Sequence, residues 1–234
     1  MAWVSPHERR YVAHVVETLG GWLTEREGAF LYALAARGPG SGAVVEIGSN
    51  RGKSTTLLAC AACTAGRERV HAIDPHRGGT EAEFRANLAR EGVDDWVIPH
   101  VARSQNFVKA WRDPVRLLFV DGLHTYEGVR ADYTDWVPFV VEGGVIPLHD
   151  TFQRDGLRRV VEETILGARD SFLDRRQHHR RSEAASGRIR ACLAARGVAL
   201  RPHALSLEPA QRHPGGSPKA EQAPAVRALV AAMH

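Results

Sequence analysis

This chain of 234 residues has few cysteines, and it lacks both long apolar runs and a leader-like N-terminus. The sequence contains 3 cysteines, too few to indicate the disulfide framework of a small secreted domain. No apolar run reaches the length that a bilayer-spanning helix needs, and the first residues lack the layout of a signal peptide. We therefore expect a soluble, cytoplasmic protein without a membrane partner.

Aromatic residues are nearly absent from the most basic part of the chain. Residues 168–234 contain 12 Lys/Arg and 5 Asp/Glu, so they carry +7 and the remaining residues carry −3 of the total of +4. Phe172 is the only Phe, Trp or Tyr in this segment. Without aromatic side chains to stack on bases, the segment does not favour nucleic-acid binding. Its Pro- and Arg-rich composition predicts a basic, partly disordered C-terminal extension.

Strand-like and helix-like segments alternate through the middle of the chain. Helical patterns include residues 54–64 and 81–91, and the five strand-like runs are residues 43–47, 69–74, 96–101, 116–121 and 144–149. This alternation predicts an α/β protein with a Rossmann-like, three-layer α/β/α fold around a mostly parallel sheet. Because such sheets bind ligands beyond the carboxyl ends of their strands, polar residues that follow the five runs are the functional candidates.

Two further helical patterns, at residues 8–19 and 25–36, precede the first strand-like run. We therefore predict three parts: an N-terminal helical cap over residues 1–38, a Rossmann-like catalytic domain over 39–167, and the basic extension over 168–234. The cap helices are placed to close over a substrate, and they are candidates for a homodimer contact.

Residues 48–55 read GSNRGKST, which is close to a phosphate-binding P-loop. Only three residues separate Gly48 from Gly52, whereas a P-loop needs four to wrap a phosphate with its backbone N–H groups. Glu46 would also repel a polyphosphate, although it could accept a hydrogen bond from an amine. Asp74 follows Gly48 by 26 residues, a spacing typical of an acid that accepts hydrogen bonds from ribose hydroxyls. A P-loop-like nucleotide hydrolase is therefore a disfavoured alternative.

The segments VVEIGSNRGKST and HAIDPH together resemble the first two motifs of class I methyltransferases that depend on S-adenosylmethionine (AdoMet). The resemblance implies AdoMet as the cofactor, with Asp74 on its ribose and Ser104 near its adenine. It also implies that a set of residues around the glycine loop contacts the methionine part of AdoMet. This set is Glu46, Gly48, Ser49, Asn50, Gly52 and Ser54.

Two later segments, LLFVDGLHTYEGVRADYTDW and GGVIPLHDT, resemble a bacterial group related to macrolide-sugar O-methyltransferases and, more distantly, to catechol O-methyltransferases. The resemblance implies that Asp121, which also belongs to the cofactor site, binds a divalent cation together with His149 and Asp150. It also implies that His124 is the general base. His149 departs from the carboxylate common at its place in the relatives. Imidazole suits Mn²⁺, Fe²⁺ or Zn²⁺ better than Mg²⁺, so the presence and identity of a metal stay open.

The implied reaction is methyl transfer to a hydroxyl of a small molecule, such as a sugar or phenolic group of a bacterial natural product. A hydroxyl is a weak nucleophile at neutral pH, and a coordinating cation would lower its pKa and orient it. A histidine can accept the hydroxyl proton near neutral pH. Two alternatives stay open: a metal-independent methyltransferase with His124 or His149 as base, and a non-catalytic AdoMet-binding protein.

Overall fold

A parallel β-sheet lies at the centre of the computed structural model, which describes residues 4–150, 155–161, 163, 171–173 and 229–233. Within these residues the strand order is β3-β2-β1-β4-β5-β7-β6, and all neighbouring strands run parallel. The strands are β1 (Ala43–Ile47), β2 (Val70–Ile73), β3 (Val97–His100), β4 (Val115–Val120), β5 (Val140–Leu148), β6 (Ser171–Leu173) and β7 (Leu229–Ala232).

Helices cover both faces of this sheet. They are α1 (Pro6–Thr18), α2 (Glu25–Arg37), α3 (Lys53–Thr64), α4 (Glu81–Arg90), α5 (Ser104–Phe107), α6 (Tyr126–Trp136) and α7 (Asp155–Val160). Along β4, Leu117 and Phe119 pack on the side of α1 to α4, whereas Leu118 and Val120 pack on the side of α6 and α7. This alternation follows from the two-residue repeat of a strand. The predicted three-layer α/β/α fold is thus confirmed.

The five predicted strands correspond to β1 through β5, and β5 differs most from its prediction. It begins at Val140, four residues before the predicted start at Gly144. Its pairing with β4 is irregular, since Val115 pairs with Val140 but Leu117 pairs with Val145. Gly143 and Gly144 therefore lie inside an irregular part of the strand, as is common for glycine in sheets.

Two strands come from beyond the segment predicted as the catalytic domain. Both β6 and β7 lie within residues 168–234, the predicted basic extension, and β7 pairs with β5. The rest of that extension lies outside the described residues, so its partial disorder stays a prediction. In the described part of the chain, no helix is long and apolar enough to cross a membrane.

The N-terminal helices α1 and α2 begin with the same capping motif. Ser5 accepts a hydrogen bond from the Glu8 backbone, and Thr24 accepts one from the Glu27 backbone. In each pair the glutamate side chain accepts a hydrogen bond from the N-cap backbone in return. This reciprocal arrangement is the capping box, which satisfies N–H groups that a helix start leaves unpaired.

The helices α1 and α2 share one hydrophobic core with α3, α4 and the sheet. Arg116 of β4 reinforces this packing, because its guanidinium donates hydrogen bonds to the carbonyls of Leu34 (3.1 Å) and Ala35 (2.7 Å) near the end of α2. It also donates to Glu68 at 2.8 Å. Arg116 is 1% exposed, so these acceptors compensate for a buried positive charge.

Candidate active site

A cavity of about 410 Å³ opens at the carboxyl ends of the central strands. Backbone hydrogen bonds align these ends: Gly48 N–H donates to Ile73 O (2.9 Å) and Asp121 N–H donates to Ile47 O (2.8 Å). Most of the residues predicted from sequence line this cavity, as the edge-of-sheet rule requires. They are Gly48, Ser49, Asn50, Ser54, Asp74, Ser104, Asp121, His124, His149 and Asp150.

Gly48 brings the loop after β1 against the end of β4. Its φ is +92°, and a Cβ on this residue would lie 2.1 Å from the carbonyl oxygen of Asp121. Side chains rarely adopt such a backbone conformation, and no carbon fits at that distance from an oxygen. The glycine loop is therefore tied to the strand end that presents Asp121.

Asp74 connects the ends of β1 and β2. Its carboxylate accepts hydrogen bonds from the backbone N–H of Asn50 (2.8 Å) and of His76 (2.7 Å) while it lines the cavity. Both partners have left-handed backbones, with φ of 44° and 46°. Non-glycine residues adopt this conformation only where the surroundings impose it, and they cluster at functional sites. Asp74 thus organises the loop and keeps a carboxylate edge on the cavity wall.

Glu46 and Gly52 do not line the cavity, although both were predicted to contact the cofactor. Glu46 is fully buried beneath the loop, where its two oxygens accept hydrogen bonds from Ser54 (2.5 Å) and from Thr55. Burial raises the pKa of Glu46 to about 8. Gly52 has a φ of +85° and is the N-cap residue that precedes α3. The structure thus places both residues where they shape the first turn of α3, behind the cavity wall.

Lys53, the residue that suggested a P-loop, is directed at the protein backbone. Its ammonium donates hydrogen bonds to Val16 O (2.9 Å) at the end of α1 and to Gly21 O (2.8 Å) in the loop that follows. Burial lowers the pKa of Lys53. A lysine held in this way anchors the linker between α1 and α2, so its geometry does not support a nucleotide hydrolase.

His149 lies among three carboxylates at the end of β5. Its Nδ1 is 3.1 Å from Asp121 and 3.5 Å from Asp150, and its Nε2 is 3.6 Å from Glu27 of α2. None of these contacts has the alignment of a hydrogen bond, so they are ion pairs. Burial by itself would lower the pKa of His149, but Asp121 and Glu27 outweigh it and raise the pKa to about 10. Burial raises the pKa of Asp121.

The predicted metal ligands Asp121, His149 and Asp150 come together, but they do not form a metal site. Among the residues that the structure describes, no group of three or more His, Cys, Asp or Glu side chains could hold a metal ion. Both ring nitrogens of His149 face carboxylates, a setting that favours the doubly protonated ring. A doubly protonated imidazole has no lone pair for a metal. The residues present therefore do not fit a divalent cation.

His124 lies on the opposite side of the same carboxylates. Its Nε2 is 3.9 Å from Asp121 and 3.9 Å from Asp150, and its side chain is 33% exposed. His124 lines the cavity, so its imidazole can accept a proton from a molecule bound there.

Two buried acids at the site, Glu27 and Asp132, had no functional role in the sequence-based prediction. Glu27 belongs to the capping motif that begins with Thr24. Because this motif accounts for a glutamate at position 27, the sequence gives no sign of the contact between Glu27 and His149. Asp132 is 1% exposed in α6 and lines the cavity. Asp132 lies three residues after Val129, so the helical repeat of the sequence could have placed it on the buried face of α6.

A glycine turn after β1 and an acid after β2, on one edge of a parallel sheet, define a nucleoside-binding α/β domain. Residues 45–151 match the model of a family described as a methyltransferase domain. This segment is similar to that family, and the resemblance to class I methyltransferases is confirmed.

Individual relatives of the chain match over only part of their length. The uncharacterized protein y4gI of Sinorhizobium fredii (strain NBRC 101917 / NGR234) is 29% identical over 160 residues, with 61% of this chain and 16% of that protein covered. The cofactor-bound Rv0187 protein from MTB is 26% identical, with 61% and 64% covered and a TM-score of 0.46. The O-methyltransferase TomG of Streptomyces achromogenes, involved in tomaymycin synthesis and solved with SAM, is 21% identical, with 61% and 65% covered and a TM-score of 0.46. The chain thus spans less than two thirds of the length of each.

Proposed function

We propose that this protein is an AdoMet-dependent methyltransferase that methylates a hydroxyl of a small molecule. The observation that carries the proposal is that two groups of residues line one cavity. The first group consists of Gly48 and Asp74, in the loops after β1 and β2, and the second consists of Asp121, His124 and Asp150. A cofactor held at the first group would present its reactive end to the second. The family match over residues 45–151 supports methyl transfer as the reaction.

Several features of the cavity suit AdoMet. The carboxylate of Asp74 is placed to accept hydrogen bonds from ribose hydroxyls. The Ser49 hydroxyl is buried on the wall and has no hydrogen-bond partner among the residues that the structure describes. A buried hydroxyl without a partner is costly, so a polar ligand group that bonds to it would be stabilised. Gly48, Asn50 and Ser54 complete the wall beside it.

His124 is the proposed general base. Bound AdoMet supplies the methyl group and leaves as S-adenosylhomocysteine (SAH). His124 Nε2 accepts the hydroxyl proton, while the acceptor oxygen bonds to the methyl carbon as the carbon–sulfur bond breaks. Asp121 and Asp150, each 3.9 Å from His124, then stabilise the protonated ring. No step is assigned to a metal ion, because the carboxylates already pair with the two histidines.

The proposed acceptor is a small molecule with an apolar surface next to its hydroxyl. Trp22 (86% exposed) and Leu123 (67% exposed) are large apolar side chains that line the cavity close in sequence to Gly21 and His124. Exposed apolar side chains of this size often mark a ligand-binding surface. They support a phenolic group or the less polar face of a sugar as the acceptor.

Calorimetry with AdoMet and with SAH tests the cofactor assignment. We expect both to bind to the wild-type protein, and the Asp74→Ala variant to bind at least about 10-fold more weakly, because it loses the ribose acceptor and the loop contacts. Asp94→Ala, which changes an exposed acid outside the cavity, is the matched control. Binding that is absent in the wild type, or equal in all three proteins, would refute the proposal.

A second experiment tests the base and the absence of a metal role. With an acceptor found by screening phenols and sugars, the variant His124→Ala should lose kcat by roughly 10²–10⁴-fold. Its affinity for SAH should stay close to that of the wild type. Turnover should also survive extensive treatment with EDTA; a loss that Mg²⁺ or Mn²⁺ restores would assign a metal to the reaction after all.

A further inference from the structure

Glu27 belongs to the N-terminal helices but reaches the charged residues at the end of β5. It is 4% exposed, and its Oε2 accepts hydrogen bonds from the backbone N–H and from the hydroxyl of Thr24, both at 2.8 Å. Its Oε1 has no hydrogen bond within the described residues and lies 3.6 Å from Nε2 of His149. The capping box explains the contacts of Oε2, but it leaves the approach of Oε1 to His149 unexplained.

The ring of His149 lies between Glu27 and two other carboxylates. Asp121 and Asp150 approach its Nδ1 at 3.1 and 3.5 Å, whereas Glu27 approaches its Nε2 at 3.6 Å. Phe119 packs against the ring at close to a right angle, with 6.3 Å between the ring centroids. His149 is 3% exposed, so water has little access to replace a carboxylate that is removed. The Nε2 side of the ring therefore depends on Glu27 for a compensating charge.

The carboxylates on the other side of this ring join it to the proposed base. Nε2 of His124 is 3.9 Å from Asp121 and 3.9 Å from Asp150. The contacts therefore run from Glu27 through His149 and these two acids to His124, with acidic and basic groups in alternation. In such a continuous set of contacts, a change at one end can displace the groups at the other end.

The other oxygen of Glu27 fixes the chain next to the acceptor side of the cavity. Thr24, which Glu27 holds, directly follows Trp22 and Leu23, and both of these residues line the cavity. Glu27 itself does not line it. One carboxylate thus touches the segment that carries the apolar surface and the group of charges around the base, without reaching a bound molecule.

We propose that Glu27 is a positioning residue for methyl transfer: it holds His149 in place, and His149 in turn holds the two carboxylates that face His124. Glutamine serves in a capping box as glutamate does. The substitution Glu27→Gln therefore keeps the cap of α2 and removes only the charge that faces the ring. The inference rests on the proposed function, since it takes His124 to be the base.

The test compares Glu27→Gln with Glu8→Gln, which makes the same change in the capping box of α1. The assay uses saturating AdoMet and the phenol or sugar found in the screen described above. Glu27→Gln should lose kcat by roughly 10- to 100-fold, because small displacements of catalytic groups have effects of this size. Its affinity for SAH should stay within about 2-fold of the wild type, as for sites that share no partner. Glu8→Gln should keep the wild-type kcat.

A second comparison shows whether Glu27 acts through His149. In a His149→Gln background, Glu27→Gln should change kcat by no more than about 2-fold, because the contact through which it acts is already lost. The double variant carries neither charge, so this comparison still decides the question if the single variant Glu27→Gln does not fold.

Three results would overturn the inference: wild-type kcat in a folded Glu27→Gln variant, an equal loss of kcat in Glu8→Gln, or an equal loss with and without His149. A wild-type protein that does not bind SAH and methylates none of the phenols and sugars would instead refute the proposed function.

Discussion

Replacement of Gly48 by alanine tests how tightly the glycine loop is joined to the end of β4. The new Cβ would lie 2.1 Å from the carbonyl oxygen of Asp121, and the residue has a φ of +92°. The backbone conformation alone costs about 1–2 kcal/mol for a residue with a Cβ. Moving the strand end to make room adds roughly 1–3 kcal/mol, as overpacking of a dense interior does.

Gly66 provides the matched control for this substitution. Its φ is +60°, but a Cβ there would meet no atom of the described part of the chain within 4 Å. Gly66→Ala should therefore lose only the conformational part, about 1–2 kcal/mol, and keep its affinity for SAH. Gly48→Ala should lose about 2–5 kcal/mol in total, the sum of both costs.

Thermal unfolding and calorimetry measure the two effects. For a chain of this size, 1 kcal/mol corresponds to roughly 2–4 °C in Tm, so Gly48→Ala should melt several degrees below Gly66→Ala. Its affinity for SAH should also fall by roughly 10-fold or more, because the shifted loop misplaces the ligand groups. Equal melting temperatures and equal affinities in the two variants would refute the argument that Gly48 is required by the contact with Asp121.

Two further predictions concern buried groups around α3. Burial raises the pKa of Glu46 to about 8 from an ordinary value of 4.5, so the folded state prefers the protonated acid. Its contribution to stability is complete below pH 4.5 and is lost as the pH rises through 8. Urea denaturation should show a larger decline in the wild type and in the exposed control Glu25→Gln than in Glu46→Gln, which keeps only the decline caused by the raised pKa of His149. A decline of the same size in all three proteins would contradict the prediction. Lys53→Met removes two hydrogen bonds to backbone carbonyls and should lower the free energy of unfolding by roughly 1–3 kcal/mol. The exposed control Lys109→Met should be neutral, and equal losses in the two lysine variants would argue against an anchoring role.

The sequence predicted those parts of the fold that repeat a simple pattern. Five apolar runs separated by helical segments were enough to place β1 through β5, because a parallel sheet buries each strand on both faces. The strands β6 and β7 were missed. They are three and four residues long and lie in a segment rich in arginine and proline, where short apolar runs carry little signal.

Sequence predicted the site residues that lie next to a strand end better than the contacts between residues that are far apart in sequence. Asp74 and Asp121 directly follow strands and His124 lies in the loop after β4, so the edge-of-sheet rule placed them on the cavity wall. Glu46 lies inside β1 and not after it, and its side chain is directed beneath the loop, toward α3. The approach of Glu27 to His149 joins residues 122 positions apart, and no local pattern encodes such a contact.

The buried guanidinium of Arg116 has a consequence for how the chain can be divided. Residues 45–151, the segment that matches the methyltransferase family, contain this cation but not the carbonyls of Leu34 and Ala35 that receive its hydrogen bonds. A fragment cut at the family boundary would leave the Arg116 guanidinium without these two hydrogen-bond acceptors. The segment that matches the family is therefore smaller than the unit that compensates the Arg116 charge, so expression of the domain should begin before α1.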